Sequence, residues 1–81
     1  MWHVYMLKCC DGSFYTGITN DVAQRVAEHN SGKGARYTRV RRPVILVYQE
    51  AYPNRSLASI REIEIKDMSR TRKDDLIKGD K

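Results

Sequence analysis

Between Tyr15 and His29 the chain changes its period, and that change limits what the rest can fold into. Up to Gly17 the residues are those that strands favour. Asn20-Asp21 then offers a helix cap, and Val22, Ala23, Val26 and Ala27 recur at helical spacing as an apolar stripe. The spacing predicts a helix from about Asp21 to Asn30, with Gln24 at the capping-box position and Ser31-Gly32 as a left-handed end. Arg25 and His29 are four residues apart, so they point the same way, along the flank of the stripe. A guanidinium and an imidazole are therefore expected at the rim of the core, beside the strand that carries Tyr15.

A strand feeding a short helix buries little by itself, and the flanking sequence supplies its partners. Trp2 to Lys8 reads as a first strand, with Val4, Met6 and Lys8 on one face and His3, Tyr5 and Leu7 on the other. Cys10-Asp11-Gly12-Ser13 is a turn, and Phe14 to Ile18 returns as an antiparallel partner, which brings Tyr5 and Tyr15 to a common face. Val44 to Glu50 is a nearly unbroken apolar run and reads as the central, most buried strand. Asn54 or Ser56 caps a helix expected over Leu57 to Met68. Its apolar residues spread too widely for one stripe, which predicts contact with both the sheet and a neighbouring helix. Thr71 and Asp74 form a capping-box pair for a last short helix carrying Leu76 and Ile77. The expected fold is α+β: a small three-stranded antiparallel sheet flanked by about three helices, one domain over residues 1–81 without linker or repeat.

A net charge of +5 points weakly towards a polyanion. The stretch Lys33-Gly34-Ala35-Arg36-Tyr37-Thr38-Arg39 reads as a basic, glycine-containing loop. Lys33, Arg36, Arg39, Arg41 and Arg42 are its candidate phosphate contacts, and Tyr37 its candidate base-stacking ring, against the alternative of a solvated loop without ligand. Cys9 and Cys10 are adjacent, which suits neither an unstrained disulfide nor a zinc site. With no export signal and no apolar run of spanning length, a cytoplasmic protein without membrane contact is expected.

Glu62 admits two readings. It precedes Lys66 by one helical turn, in the order that favours a surface ion pair worth about 0.2–0.5 kcal/mol. It also lies towards the buried side of its helix, where a lone carboxylate can hold a hard divalent cation that keeps most of its waters and binds phosphate.

Taken in order, these residues resemble the GIY-YIG nuclease domain, and in particular its small stand-alone bacterial members. His3-Val4-Tyr5 and Tyr15-Thr16-Gly17 stand at the two family tripeptides, followed by Arg25, His29, the Ser31-Gly32-Lys33-Gly34-Ala35-Arg36 run and Glu62. The resemblance covers essentially the whole chain. It implies metal-dependent hydrolysis of DNA phosphodiesters, in repair or processing, with Mg2+ or Mn2+ on Glu62 and Arg25 clamping the scissile phosphate. Tyr5, Tyr15 and His29 would surround the attacking water, and Gly17 would let the backbone turn where a side chain would crowd the phosphate. The implied substrate is structured or single-stranded DNA, with RNA as a second partner, and the chain is expected to act as a monomer. A catalytically inactive nucleic-acid-binding module on the same scaffold, or a protein-interaction adaptor, are the rival readings. Two departures stand out. His3 and Val4 replace Gly and Ile, and the Asn that many members carry beyond the glutamate is missing, since no Asn follows Asn54 and Asp74 is expected on a surface helix.

Overall fold

The structure is a computed structural model that describes residues 1–79. Its elements are β1 (Trp2–Lys8), β2 (Phe14–Thr19), α1 (Val22–Ser31), α2 (Arg36–Arg39), β3 (Ile45–Tyr52), α3 (Arg55–Lys66) and α4 (Arg70–Lys78). The expected three-stranded antiparallel sheet is present, with strand order β2-β1-β3. The helices number four among the described residues, because a single turn, α2, forms inside the stretch read as a loop. The backbone N–H groups of Thr38 and Arg39 close that turn on the Ala35 carbonyl.

The central strand is β1, which corrects the expectation that Val44 to Glu50 would be central. β1 pairs antiparallel with both neighbours, and β3 bulges at Val47, opposite the Met6–Leu7 step. Its two faces enter two separate cores. Val4 and Met6 pack with Ala58 and Ile65, while Tyr5 and Leu7 pack with Cys9, Val44, Val22 and Val26. β3 lies at an edge, so its apolar run is divided: Val44, just before it, is buried, but Ile45 is 60% exposed. An unbroken apolar run signals β-structure with equal force at centre and edge; the number of neighbours, which decides burial, is a property of topology.

The helix ends follow local chemistry. Asp21 caps α1 by accepting the Gln24 N–H at 3.1 Å, and Gly32 ends the helix at φ 89°. The Gln24 side chain turns to Glu28 instead of completing a capping box, since the Asp21 N–H is taken by the Thr19 hydroxyl. Asn54 caps α3. α4 is capped by Ser69, not by Thr71, and Asp74 pairs with Arg70 at 3.6 Å. On α3, Ala58 and Ile65 meet the sheet, whereas Leu57, Ile60 and Ile63 are exposed. The neighbouring helix is α4, whose Leu76 and Ile77 pack on the core cluster that holds Ala58 and Ile65 without burying Leu57, Ile60 and Ile63.

Two polar ties went unread in the sequence. The Asn30 side chain donates to the Val44 carbonyl at 3.0 Å and accepts the Val44 N–H at 2.8 Å, pinning the end of α1 to the start of β3. On the opposite face, Arg61 forks onto both Glu50 oxygens at 3.0 and 3.1 Å, and the Tyr48 and Tyr52 hydroxyls donate to the same carboxylate. Burial alone would raise the Glu50 pKa, but these donors hold it below its ordinary value.

Candidate active site

The site grows from the β1–β2 register. Tyr5 pairs with Gly17 and Leu7 with Tyr15, so both phenols share a face, as expected. Gly17 is not at a turn, and its φ is not positive; it sits inside β2. A Cβ there would stand 2.7 Å from the Tyr5 hydroxyl and 2.9 Å from its Cζ. The missing side chain is therefore the space in which the Tyr5 ring lies across the neighbouring strand.

α1 adds Arg25 and His29. Ala23 and Ala27 are exposed, and the inward face is Val22, Arg25, Val26 and His29, at the i, i+3, i+4, i+7 spacing of one helix side. His29 is not at the rim: it is fully buried, the one buried residue of the helix. Its ring stands 5.9 Å from the Tyr5 ring and 5.1 Å from the Tyr15 ring, and its Nε2 is 2.9 Å from the Tyr5 hydroxyl.

The loop that follows α1 closes over the other side of the imidazole. His29 Nδ1 is 2.7 Å from the hydroxyl of the fully buried Thr38, and the Ala35 N–H points at the same nitrogen from 3.4 Å. Gly34 permits this approach, since a Cβ there would fall 2.4 Å from His29 Nδ1 and 2.7 Å from His29 Cα. Thr38 has one proton to give, and the Ala35 carbonyl, 2.9 Å from its hydroxyl, already accepts two backbone N–H groups. The backbone donor aimed at Nδ1 requires a lone pair there. The hydrogen-bond network thus assigns the proton to Nε2, which donates to the Tyr5 oxygen, and leaves the hydroxyl proton of Tyr5 free for another acceptor.

Charge completes the arrangement. Burial pushes the Tyr5 pKa up to about 12, with Arg25 opposing and the charges of Tyr15 and Glu62 adding to the rise. Burial, reinforced by Arg25, lowers the His29 pKa, so the imidazole is neutral at pH 7. Arg25 forms an ion pair with Glu28 at 2.9 Å. Glu62 arrives from α3, pairs with Lys66 at 3.2 Å and keeps 20% of its side chain exposed. The helix-surface pair expected for Glu62 is thus present, and its charge acts on the Tyr5 oxygen.

The basic residues divide. Lys33, Arg36 and Arg39 are exposed, and none joins an ion pair among the described residues. Arg41 is engaged by Asp11 at 3.1 Å and lies 3.9 Å over the Tyr37 ring, while Arg42 donates to the Arg39 carbonyl. Tyr37 stacks on Tyr15 with ring centroids 6.1 Å apart and donates to Ser13, so its ring is already occupied inside the protein. Thr38 and Gly34 carry little signal in the sequence; only a glycine beside Lys33 in a basic stretch hints at a close approach.

Residues 1–75 match the family described as the GIY-YIG catalytic domain. The chain belongs to the GIY-YIG family. That family is a nuclease superfamily, and it implies a nucleic-acid substrate. A UPF0213 protein of Desulfotalea psychrophila is 58% identical over 79 residues, covering 96% of this chain and 72% of its own. One from Staphylococcus haemolyticus is 56% identical, covering 88% and 87%. The solution NMR structure of a UPF0213 protein from Bacillus halodurans aligns with TM-score 0.62 at 48% identity, over 96% of this chain and 84% of that one. The NMR structure of an E. faecalis protein aligns with TM-score 0.64 at 44% identity, over 95% and 82%. Among the described residues no helix is long and apolar enough to cross a membrane.

Proposed function

We propose that this GIY-YIG chain is a divalent-metal-dependent endonuclease that hydrolyses DNA phosphodiester bonds in repair or processing. The observation that carries the reading is the convergence of Tyr5, Tyr15, His29 and Arg25 on one side of β2, with the Glu62 charge acting on the Tyr5 oxygen. Among the described residues no three acidic, histidine or cysteine side chains gather into a cage. A lone, partly exposed carboxylate fits a hard cation such as Mg2+ or Mn2+, which keeps its waters and shares the phosphate, rather than caged zinc. When bound, that cation supplies positive charge to the leaving oxygen and the phosphoryl group.

The protein's own groups divide the remaining work. Arg25 offers fixed donors to the equatorial oxygens, where charge develops in the transition state. The phenolate of Tyr5, formed by loss of its hydroxyl proton to solvent and held by the His29 Nε2–H as donor and by Arg25 as counter-charge, takes the proton of the attacking water and returns to the phenol. His29 serves as a neutral donor, not as the base. Tyr15, half-buried, orients the water from the open side.

The test is cleavage of labelled single-stranded and branched DNA in Mg2+. The unaltered chain should cut, and Arg25→Ala and Glu62→Ala should each lose about 10²–10³-fold in rate with their folds intact. Salt-sensitive binding without turnover by the unaltered chain would leave only the binding-module reading.

A further inference from the structure

A second feature borders the site and is continuous with it through Tyr15. A pocket of about 220 Å3 opens between β2, α2, the end of α3 and the first turn of α4, lined by Phe14, Tyr15, Thr16, Tyr37, Lys66 and Lys73. Its composition is unusual for a crevice between packed elements: three aromatic rings and two ammonium groups around one threonine.

Lys73 is the telling residue. It is half-buried, yet it joins none of the ion pairs within 4.0 Å among the described residues, whereas Arg70, at the start of the same helix, pairs with Asp74. With no ion-pair partner among the described residues, the Lys73 ammonium is available to an anion that arrives from outside. It lines the pocket together with Tyr15 and Tyr37. Lys66 adds a second ammonium, one helical turn from Glu62. Arg70 lies 4.1 Å over the Phe14 ring, so the guanidinium adds positive charge at the pocket's border.

We infer that this pocket holds the nucleotide next to the scissile phosphate, with Lys73 on its phosphate and its base against Phe14. The inference rests on the nuclease reading for the position of that phosphate. Aromatic walls beside a cation suit a strand whose bases are unstacked and free to turn aside. A pocket of about 220 Å3 is on the scale of one nucleotide, and a base enters it once turned out of its stack. The strand entering on the Tyr15 side is thus single-stranded.

The experiment measures binding of a fluorescein-labelled oligothymidine of about a dozen nucleotides, and of a duplex of equal length, by fluorescence anisotropy in EDTA across a salt series. Lys73→Ala should weaken oligothymidine binding about 5-fold and reduce the salt slope by about 0.7, the value for one phosphate contact on a single strand. Lys78→Ala, exposed near the end of the same helix, controls for net charge and should change neither. Phe14→Leu should weaken oligothymidine binding and spare the duplex. Lys73→Ala behaving like Lys78→Ala, or weakening single strand and duplex equally, overturns the subsite. Failure of the unaltered chain to bind either DNA overturns the nuclease reading itself.

Discussion

The Thr38 hydroxyl stands 2.7 Å from His29 Nδ1, and through that imidazole it is connected to the Tyr5 oxygen 2.9 Å beyond Nε2. All three residues are buried, so the direction of the chain is set inside the protein and not by solvent. Long-range 1H–15N spectra of labelled protein at neutral pH should show His29 protonated at Nε2 and bare at Nδ1. Thr38→Val leaves a buried acceptor short of its donor and should cost about 1–3 kcal/mol in chemical denaturation, while Thr38→Ser costs less. The opposite tautomer in the unaltered protein would refute the assignment.

Gly17 and Gly34 are required by what lies against them, not by their φ angles. Gly34→Ala would drive a methyl into the His29 ring and backbone, neither of which can yield, and should destabilise by about 1–3 kcal/mol or more. Gly17→Ala meets only the end of the Tyr5 ring. It should leave a folded protein whose phenol is displaced, with cleavage reduced by about 10²-fold. Thermal melts and single-turnover cleavage, measured on both variants, separate the two outcomes.

Stability should fall on mild acidification. The His29 pKa is lowered on folding from an ordinary value of 6.5, so its contribution is complete above that pH and is lost as pH falls through the lower folded value. Protonation there would place a proton on Nδ1, facing the Ala35 N–H. Denaturation midpoints measured downward from neutrality should decline below 6.5, and His29→Gln should remove that part of the decline.

The rate of the chemical step should rise with pH through neutrality and beyond. A Tyr5 pKa of about 12 leaves little phenolate at pH 7, so log rate should climb by about one per pH unit from roughly pH 6 to 9. Tyr5→Phe should abolish the dependence along with most of the activity. A rate that levels off near the ordinary imidazole pKa would transfer the role of base to His29.

Away from the site, Glu50 accepts from Arg61, Tyr48 and Tyr52, and replacing it with Gln should cost about 2–4 kcal/mol, since Arg61, three-quarters buried, is left with only the exposed Glu64 as counter-charge. The same denaturation curves should show cleavage and stability separating: the variant melts earlier but, once folded, binds DNA as before.

Much of this arrangement was legible one residue at a time. The β1–β2 hairpin, the Asp21 cap, the Gly32 end and the order Tyr5, Tyr15, Arg25, His29, Glu62 follow from local spacing and turn chemistry, which depend on near neighbours in the chain. The Glu62–Lys66 pair follows from one helical turn as well.

Other features were decided only when distant segments met. Val44 to Glu50 carries no mark of lying at an edge, because the count of paired strands is fixed by β1 taking two partners. His29 looked like a rim residue because Ala23 and Ala27 are small and apolar, yet burial followed the side that β1 and Thr38 cover. The Thr38–His29–Tyr5 chain joins positions 33 residues apart, and the Glu50–Arg61 fork joins a strand to a helix. Local sequence determines which groups are available and how each short element points; hydrogen bonds in the interior form between whichever groups packing brings together, and only the folded chain sets that pairing.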